Sequence, residues 1–229
     1  VRCPSVALLE WQRTGAFGTL VPALDAAAPE AFQVVDHLAR PGPATRPARR
    51  TLRFAGLLVT LGAPAATAVL TGLRSSRVEI QTVSTLLDRW QAIGGEIEDA
   101  LTGLRAPGDG SVRRWVAAVG RLHVGPFMRL ASAIWTARRA NGKPAPSQAA
   151  IHSVYRRMQR SAFRDAVDLG SLAVDGDDLR RAGIPSGPGL GKILQSLLGT
   201  VIADPSRNAA DWLLQEARRL QDGPQHDRG

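Results

Sequence analysis

Leu190, Ile193, Leu194, Leu197, Leu198, Val201 and Ile202 recur at steps of three and four over three turns. That period lays seven apolar side chains on one face of an α-helix and is incompatible with a strand. The same spacing returns along the chain. Ile80, Val83, Leu86, Leu87 and Trp90 form one stripe; Val112, Trp115, Val116 and Val119 another. Phe127, Leu130, Ala131, Ile134 and Trp135 give a third, Ile151, Val154, Tyr155, Met158 and Ala162 a fourth, and Leu213, Leu214, Ala217 and Leu220 close the series. No stretch alternates with strand period. The reading is an all-α protein of roughly ten helices, with the stripes as core and Trp90, Trp115 and Trp135 largely inside.

Loop compositions separate the stripes. Gly94-Gly95, Ala106-Pro107-Gly108-Asp109-Gly110, Asn141 to Pro146 and Asp204-Pro205-Ser206 read as connections. Arg40 to Arg50, with three prolines, reads as an irregular loop, and the tail after Gln221 as fraying. Asn208 is the expected N-cap of the last helix. Phe54 to Leu73 carries no charge and is long enough to span a bilayer. Leu61-Gly62-Ala63-Pro64 interrupts it, so two short helices are expected and no membrane partner. Cys3 is the only cysteine, which excludes a disulfide framework and favours a cytoplasmic home.

Charge is the first pointer to function. Net charge is +9, and 27 of the 29 basic residues are Arg. From Arg105 to Arg164 there are twelve Arg or Lys and one acid, Asp109; the rest of the chain is nearly neutral. A concentrated excess of Arg suits a polyanion, most commonly nucleic acid. A solvated, Arg-rich helix surface is the open alternative. Arg157, Arg160 and Arg164 repeat at helical spacing beside the fourth stripe, with Arg156 next to them; such a row could meet successive phosphates.

A second pointer is a motif. Val174-Asp175-Gly176-Asp177-Asp178-Leu179 is followed by Gly183-Ile184-Pro185-Ser186-Gly187-Pro188-Gly189-Leu190-Gly191-Lys192 and the strongest stripe. Pro188 suits a first helical turn. Glycines at a helix start leave free N–H groups for an anion, although a tight helix–helix corner needing small residues is the more economical reading. Asp175 and Asp177 read as turn and cap residues. The whole segment from Leu172 to Leu198, continued by Asp204-Pro205, Asn208, Leu213, Leu214 and Ala217, resembles a signature of the bacterial tRNA nucleotidyltransferase family, which comprises the CCA-adding enzymes and poly(A) polymerases.

Upstream segments resemble the same family more loosely. Leu9 to Leu24 is similar to the helix that follows the family's catalytic head. Arg53 to Pro64 is similar to a metal-dependent phosphohydrolase (HD) stretch, Arg-x-Ala-x-Leu-Leu-His-Asp-x-Gly-Lys-Pro, and Leu73 to Ile80 to what comes next. The His-Asp pair falls here on Val59 and Thr60, and the Lys on Ala63. Val and Thr offer no metal donor, so neither a metal nor phosphohydrolase activity is expected. The family's Asp-x-Asp head has no counterpart in the chain.

The resemblance implies an elongated helical body with a degenerate HD-like region over 1–104 and an RNA-binding region over 105–229. It implies tRNA as partner and a separately encoded catalytic head as a second. No cofactor is expected in this chain, because Mg²⁺ and ATP or CTP would belong to the head; catalytic residues are likewise expected to be none. The expected RNA contacts are Arg113, Arg114, Arg138, Arg139, Arg156, Arg157, Arg160, Arg164, Gly187, Gly189 and Lys192. Phosphate contacts should dominate, because Tyr155 sits on an apolar stripe and no aromatic stacking platform is evident. A helical interaction protein, or a decayed fragment, without RNA function stays open.

Overall fold

The structure is a computed structural model. It describes residues 3–38 and 46–222. Among these there is no strand, and helices follow one another throughout. By backbone packing they form two compact units: 1–106 with 125–153, and 107–124 with 154–229. The sequence reading cut the chain once, between 104 and 105. The backbone instead returns residues 125–153 to the N-terminal unit, because Phe127 and Trp135 pack their rings on Trp90.

The first unit opens with α1 (Pro4–Arg13), α2 (Ala16–Leu20) and α3 (Pro29–Gln33). Gly15, at φ 73°, takes the left-handed turn between the first two. Phe17 stacks on Phe32 with ring centroids 5.5 Å apart, and both are fully buried. Then come α4 (Arg46–Leu58), α5 (Gly62–Gly72) and the long α6 (Arg77–Thr102).

The expected break between α4 and α5 is present: Val59 to Leu61 form a turn. Arg50–Gly72 taken as one stretch is long and apolar enough to cross a membrane by length and composition. In the fold Leu52, Ala55, Leu58, Ala63, Ala66 and Leu70 are buried, and 39% of the most apolar window of the stretch is. The expected irregular loop ends sooner than read. Residues 39–45 lie outside the described residues, but Arg46–Arg50 are helical. Pro47 is tolerated there because it falls in the first turn, where its missing N–H costs nothing.

The Gly94-Gly95 pair is not a loop. Both residues lie inside α6. A Cβ on Gly94 would come within 2.6 Å of the Trp90 ring, so the missing side chain lets the indole fold down over the next turn. Trp90 is half-buried in that position, whereas Trp115 and Trp135 are fully buried. Trp135 Nε1 donates to Glu98 across the packed helices. The unit is completed by α8 (Val124–Ala140).

The second unit contains α7 (Asp109–Val119), α10 (Gly176–Arg181), α11 (Pro188–Ala203) and α12 (Ala210–Asp222). Its core joins Val174, Leu179, Ile184, Leu197, Val201, Leu213 and Ala217. The motif segment builds this corner. Asp175 caps α10 by accepting from Asp177 N and Asp178 N, and Asp178 returns the bond to Asp175 N. At the other end Ile184 N donates to Leu179 O and Gly183 N to Arg180 O. Those two bonds, with Gly183 at φ 94° and Ile184 buried on Leu179, form a Schellman stop.

Asn208 does not cap α12. Its Oδ1 accepts from Ala173 N and its Nδ2 donates to Ser171 O, so the side chain ties the approach to α12 to the 171–173 loop. Helix α9 (Gln148–Arg164) is continuous, with residues up to 153 in the first unit and from 154 in the second.

Candidate nucleic-acid interface

A 17-residue helix is marginal in water on its own. What holds α9 is its buried stripe: Ile151, Val154, Met158 and Ala162 are each at most 4 % exposed. With that side inward, helical spacing turns residues 156, 160 and 163 outward. Arg156, Arg160 and Arg164 are exposed, and no hydrogen bond among the described residues engages them.

Arg157 lies nearer the core. Its Nη2 donates to Asp109 Oδ1 at 2.7 Å, at the start of α7. That bond and the charge of Arg157, helped by Arg113 and Arg160, hold the Asp109 carboxyl below its ordinary range. Arg113 is used differently. Its Nε and Nη2 donate to the carbonyls of Ile202 and Ala203 at 2.6 and 3.0 Å, closing the C-terminal end of α11. Cations are favoured at that pole of a helix. Together Arg113, Arg157, Arg160, Arg164, Asp109 and Asp165 line a groove of about 370 Å³. Arg114 is exposed, and its Nη2 also reaches Ser111 Oγ at 3.4 Å.

The end of α9 is pinned. Arg121 donates from Nε to Asp168, from Nη1 to the Ala162 carbonyl and from Nη2 to Ser171 Oγ. The Ser171 hydroxyl bond, then the Arg121 bond and charge, lower the Asp168 pKa against the opposing pull of burial. Ser161, buried, donates to Asp165 at 2.8 Å. Each acid bordering the row is therefore bound to a donor.

The twelve cations between 105 and 164 are contiguous in sequence but divided between the units. Arg138 and Arg139 belong to the first unit, whereas Arg156, Arg157, Arg160 and Arg164 belong to the second. Arg138 Nη1 binds both oxygens of Glu98 at 2.6 and 2.7 Å. Arg139 donates to the Pro146 carbonyl, Thr136 and Gln148. Lys143 pairs with Glu30. Arg138 is thus committed to Glu98 in α6, Arg139 to the 141–148 connection and Lys143 to Glu30.

Gly187 is the N-cap of α11, at φ 142° and with no side-chain cap bond; Pro188 is the first helical residue. Gly187, Gly189 and Lys192 are exposed. A Cβ on Gly187, Gly189 or Gly191 would meet nothing within 4 Å. Side-chain packing does not demand small residues at these three positions, although the φ of Gly187 favours glycine there. Gly176 is the closer case, 3.4 Å from Leu190.

The sequence reading missed Phe163. It is 84 % exposed at the end of the Arg156–Arg160 row. Its signal was spacing: residue 163 lies off the stripe of 151, 154, 158 and 162. An aromatic ring is thus exposed beside the arginine row, where the sequence reading named none.

Val59 and Thr60 sit in the α4–α5 turn and line an apolar cavity of about 480 Å³ in the first unit. Glu30, the one carboxylate on that lining, is paired with Lys143. Among the described residues no group of three or more His, Cys, Asp or Glu side chains is placed to hold a metal ion.

No family model matches the sequence, no curated protein is found similar to it, and no solved structure is found similar to the chain.

Proposed function

We propose that the chain binds RNA through the exposed face of α9, gripping phosphates with Arg156, Arg160 and Arg164 and, after exchange of its Asp109 partner, Arg157. The observation that carries this reading is the row itself: guanidinium groups exposed at successive turns of a helix whose neighbouring acids are already bound to donors. Guanidinium groups spaced along a rigid helix suit a backbone of regularly spaced phosphates.

The RNA is proposed to be tRNA, and the chain to be the helical, tRNA-holding part of a protein like the tRNA nucleotidyltransferases and poly(A) polymerases. The support is the Val174–Leu198 motif and the charge distribution. On this reading the catalytic head, with its Mg²⁺ and ATP or CTP, is a separate partner, the protein is cytoplasmic, and the role is tRNA 3′-end processing. Arg138 and Arg139 leave the proposed contact set because Glu98 and the Pro146 carbonyl occupy them. Gly187, Gly189 and Lys192 remain an auxiliary anion contact at the α11 start.

Titrating labelled tRNA at several salt concentrations tests the reading. Each phosphate neutralised adds roughly 0.7 to 0.9 to the slope of log affinity against log salt. A slope near two to four is expected, with no nucleotide incorporated when ATP, CTP and Mg²⁺ are added. Salt-independent or absent binding contradicts it.

A further inference from the structure

A phenylalanine side chain is stabilised by leaving water, yet Phe163 is 84 % exposed in a well-packed helix. Fraying does not explain its position. Asp165 N donates to Ser161 O at 2.9 Å, Ser161 Oγ binds Asp165, and Arg121 holds the Ala162 carbonyl at 3.0 Å. The backbone carrying Phe163 is thus fixed on both sides. Spacing of four and then three places Arg156, Arg160 and Phe163 in one outward row, opposite the buried Val154, Met158 and Ala162. Arg164 follows directly. Leu122, the chain neighbour of Arg121, is also exposed, at 85 %.

The surroundings select the occupant. A ring set among cations whose neighbouring acids are bound to donors suits a ligand that is anionic and carries a flat π face. A phosphate cannot use the ring and an aliphatic partner cannot use the arginines, whereas a nucleotide uses both. We propose that Phe163 is a stacking platform for an unpaired nucleobase of the RNA whose phosphates the α9 arginines hold. The proposal rests on the RNA-binding reading above and narrows it. The face takes a single-stranded or flipped-out nucleotide, not a continuous duplex, in which bases are already stacked on each other.

The test compares wild type, Phe163→Ala, Phe163→Trp and the Arg156→Ala/Arg160→Ala/Arg164→Ala variant. The probes are a single-stranded oligoribonucleotide of about 12 nucleotides, within the span of such sites, and a blunt RNA duplex of similar charge. Phe163→Ala is expected to weaken single-strand binding by roughly 5- to 150-fold, the range of one lost base stack, with an unchanged salt slope. Duplex binding should change by less than about twofold. Phe163→Trp should restore single-strand affinity, and its added indole emission should be quenched when the strand binds. Equal single-strand affinity for Phe163→Ala and wild type, while the arginine variant loses binding, overturns the proposal and leaves the RNA reading intact. Equal losses on both probes make the ring structural and overturn it too. A change in sedimentation with unchanged RNA affinity assigns the ring to a protein contact instead. If wild type binds neither probe nor tRNA, both readings fall.

Discussion

At the scale of single residues, the fold sorts arginines of similar appearance in sequence into three uses. Arg113 satisfies carbonyls at the end of α11, Arg121 knots the end of α9 to Asp168 and Ser171, and Arg156, Arg160 and Arg164 stay exposed. Arg157 stands between these uses because Asp109 competes for it. Asp109→Asn removes that competitor. It is expected to raise RNA affinity at low salt and steepen the salt slope by just under one, measured by the same titration. Unchanged affinity and slope would mean that Arg157 stays out of the contact. Asp168 gives a pH signature. Its folded pKa lies below the ordinary value of about 3.9. Its contribution to stability is therefore fully present above that value and is lost as pH falls through the lower, folded pKa. Asp168→Asn is expected to lower the melting temperature at pH 7 and to narrow its gap to wild type below about pH 4. A gap constant down to pH 2 would show that the knot is held by shape and not by charge.

Among the elements, α6 and the α10–α11 corner make glycine testable. Gly94 and Gly95 are adjacent in one helix but face different surroundings. Gly94→Ala pushes a Cβ into the Trp90 ring, itself packed on Phe127 and Trp135, and is expected to cost about 1 to 3 kcal/mol. Gly95→Ala meets open space and is expected to stabilise by about 0.5 to 1 kcal/mol. Urea unfolding of the two variants gives shifts of opposite sign if the indole is placed as described. Gly183→Ala is expected to cost about 1 to 2 kcal/mol through its φ of 94° alone, since no atom lies near the new methyl.

Reading the sequence at this scale succeeded wherever periodicity decided. Each of the apolar stripes is a helix, and Leu197, Leu198, Val201 and Ile202 are buried together. It failed where a tertiary neighbour decided. Nothing local says that Trp90, packed on Phe127 and Trp135, will lay its indole over Gly94, or that Asn208 will reach Ala173 and Ser171. Pro47 misled because three prolines suggest a loop, whereas one of them is acceptable in a helix's first turn.

For the whole molecule, the positive excess matters less by its total than by which part of it is unspent. Arg138, Arg139 and Lys143 are neutralised or bound within the first unit, where Arg105 and Arg129 stay exposed, and the α9 face of the second unit keeps a row of three cations toward solvent. That division was not legible in the sequence, where the twelve cations form one run; assigning them needed the partners Glu98, Glu30 and Asp168, each distant along the chain. Arg138→Ala should therefore reduce stability, by loss of a pair that is largely shielded on the Glu98 side, while leaving the salt slope of RNA binding unchanged. The opposite pattern is expected for the α9 row. The most direct measurement is tRNA affinity against salt for wild type and for Arg156→Ala/Arg160→Ala/Arg164→Ala, with circular dichroism on both. The variant is expected to keep its helical spectrum and to lose about two to three units of slope. Equal affinity and equal slope, with unchanged circular dichroism, would contradict the claim that α9 is the RNA-binding face.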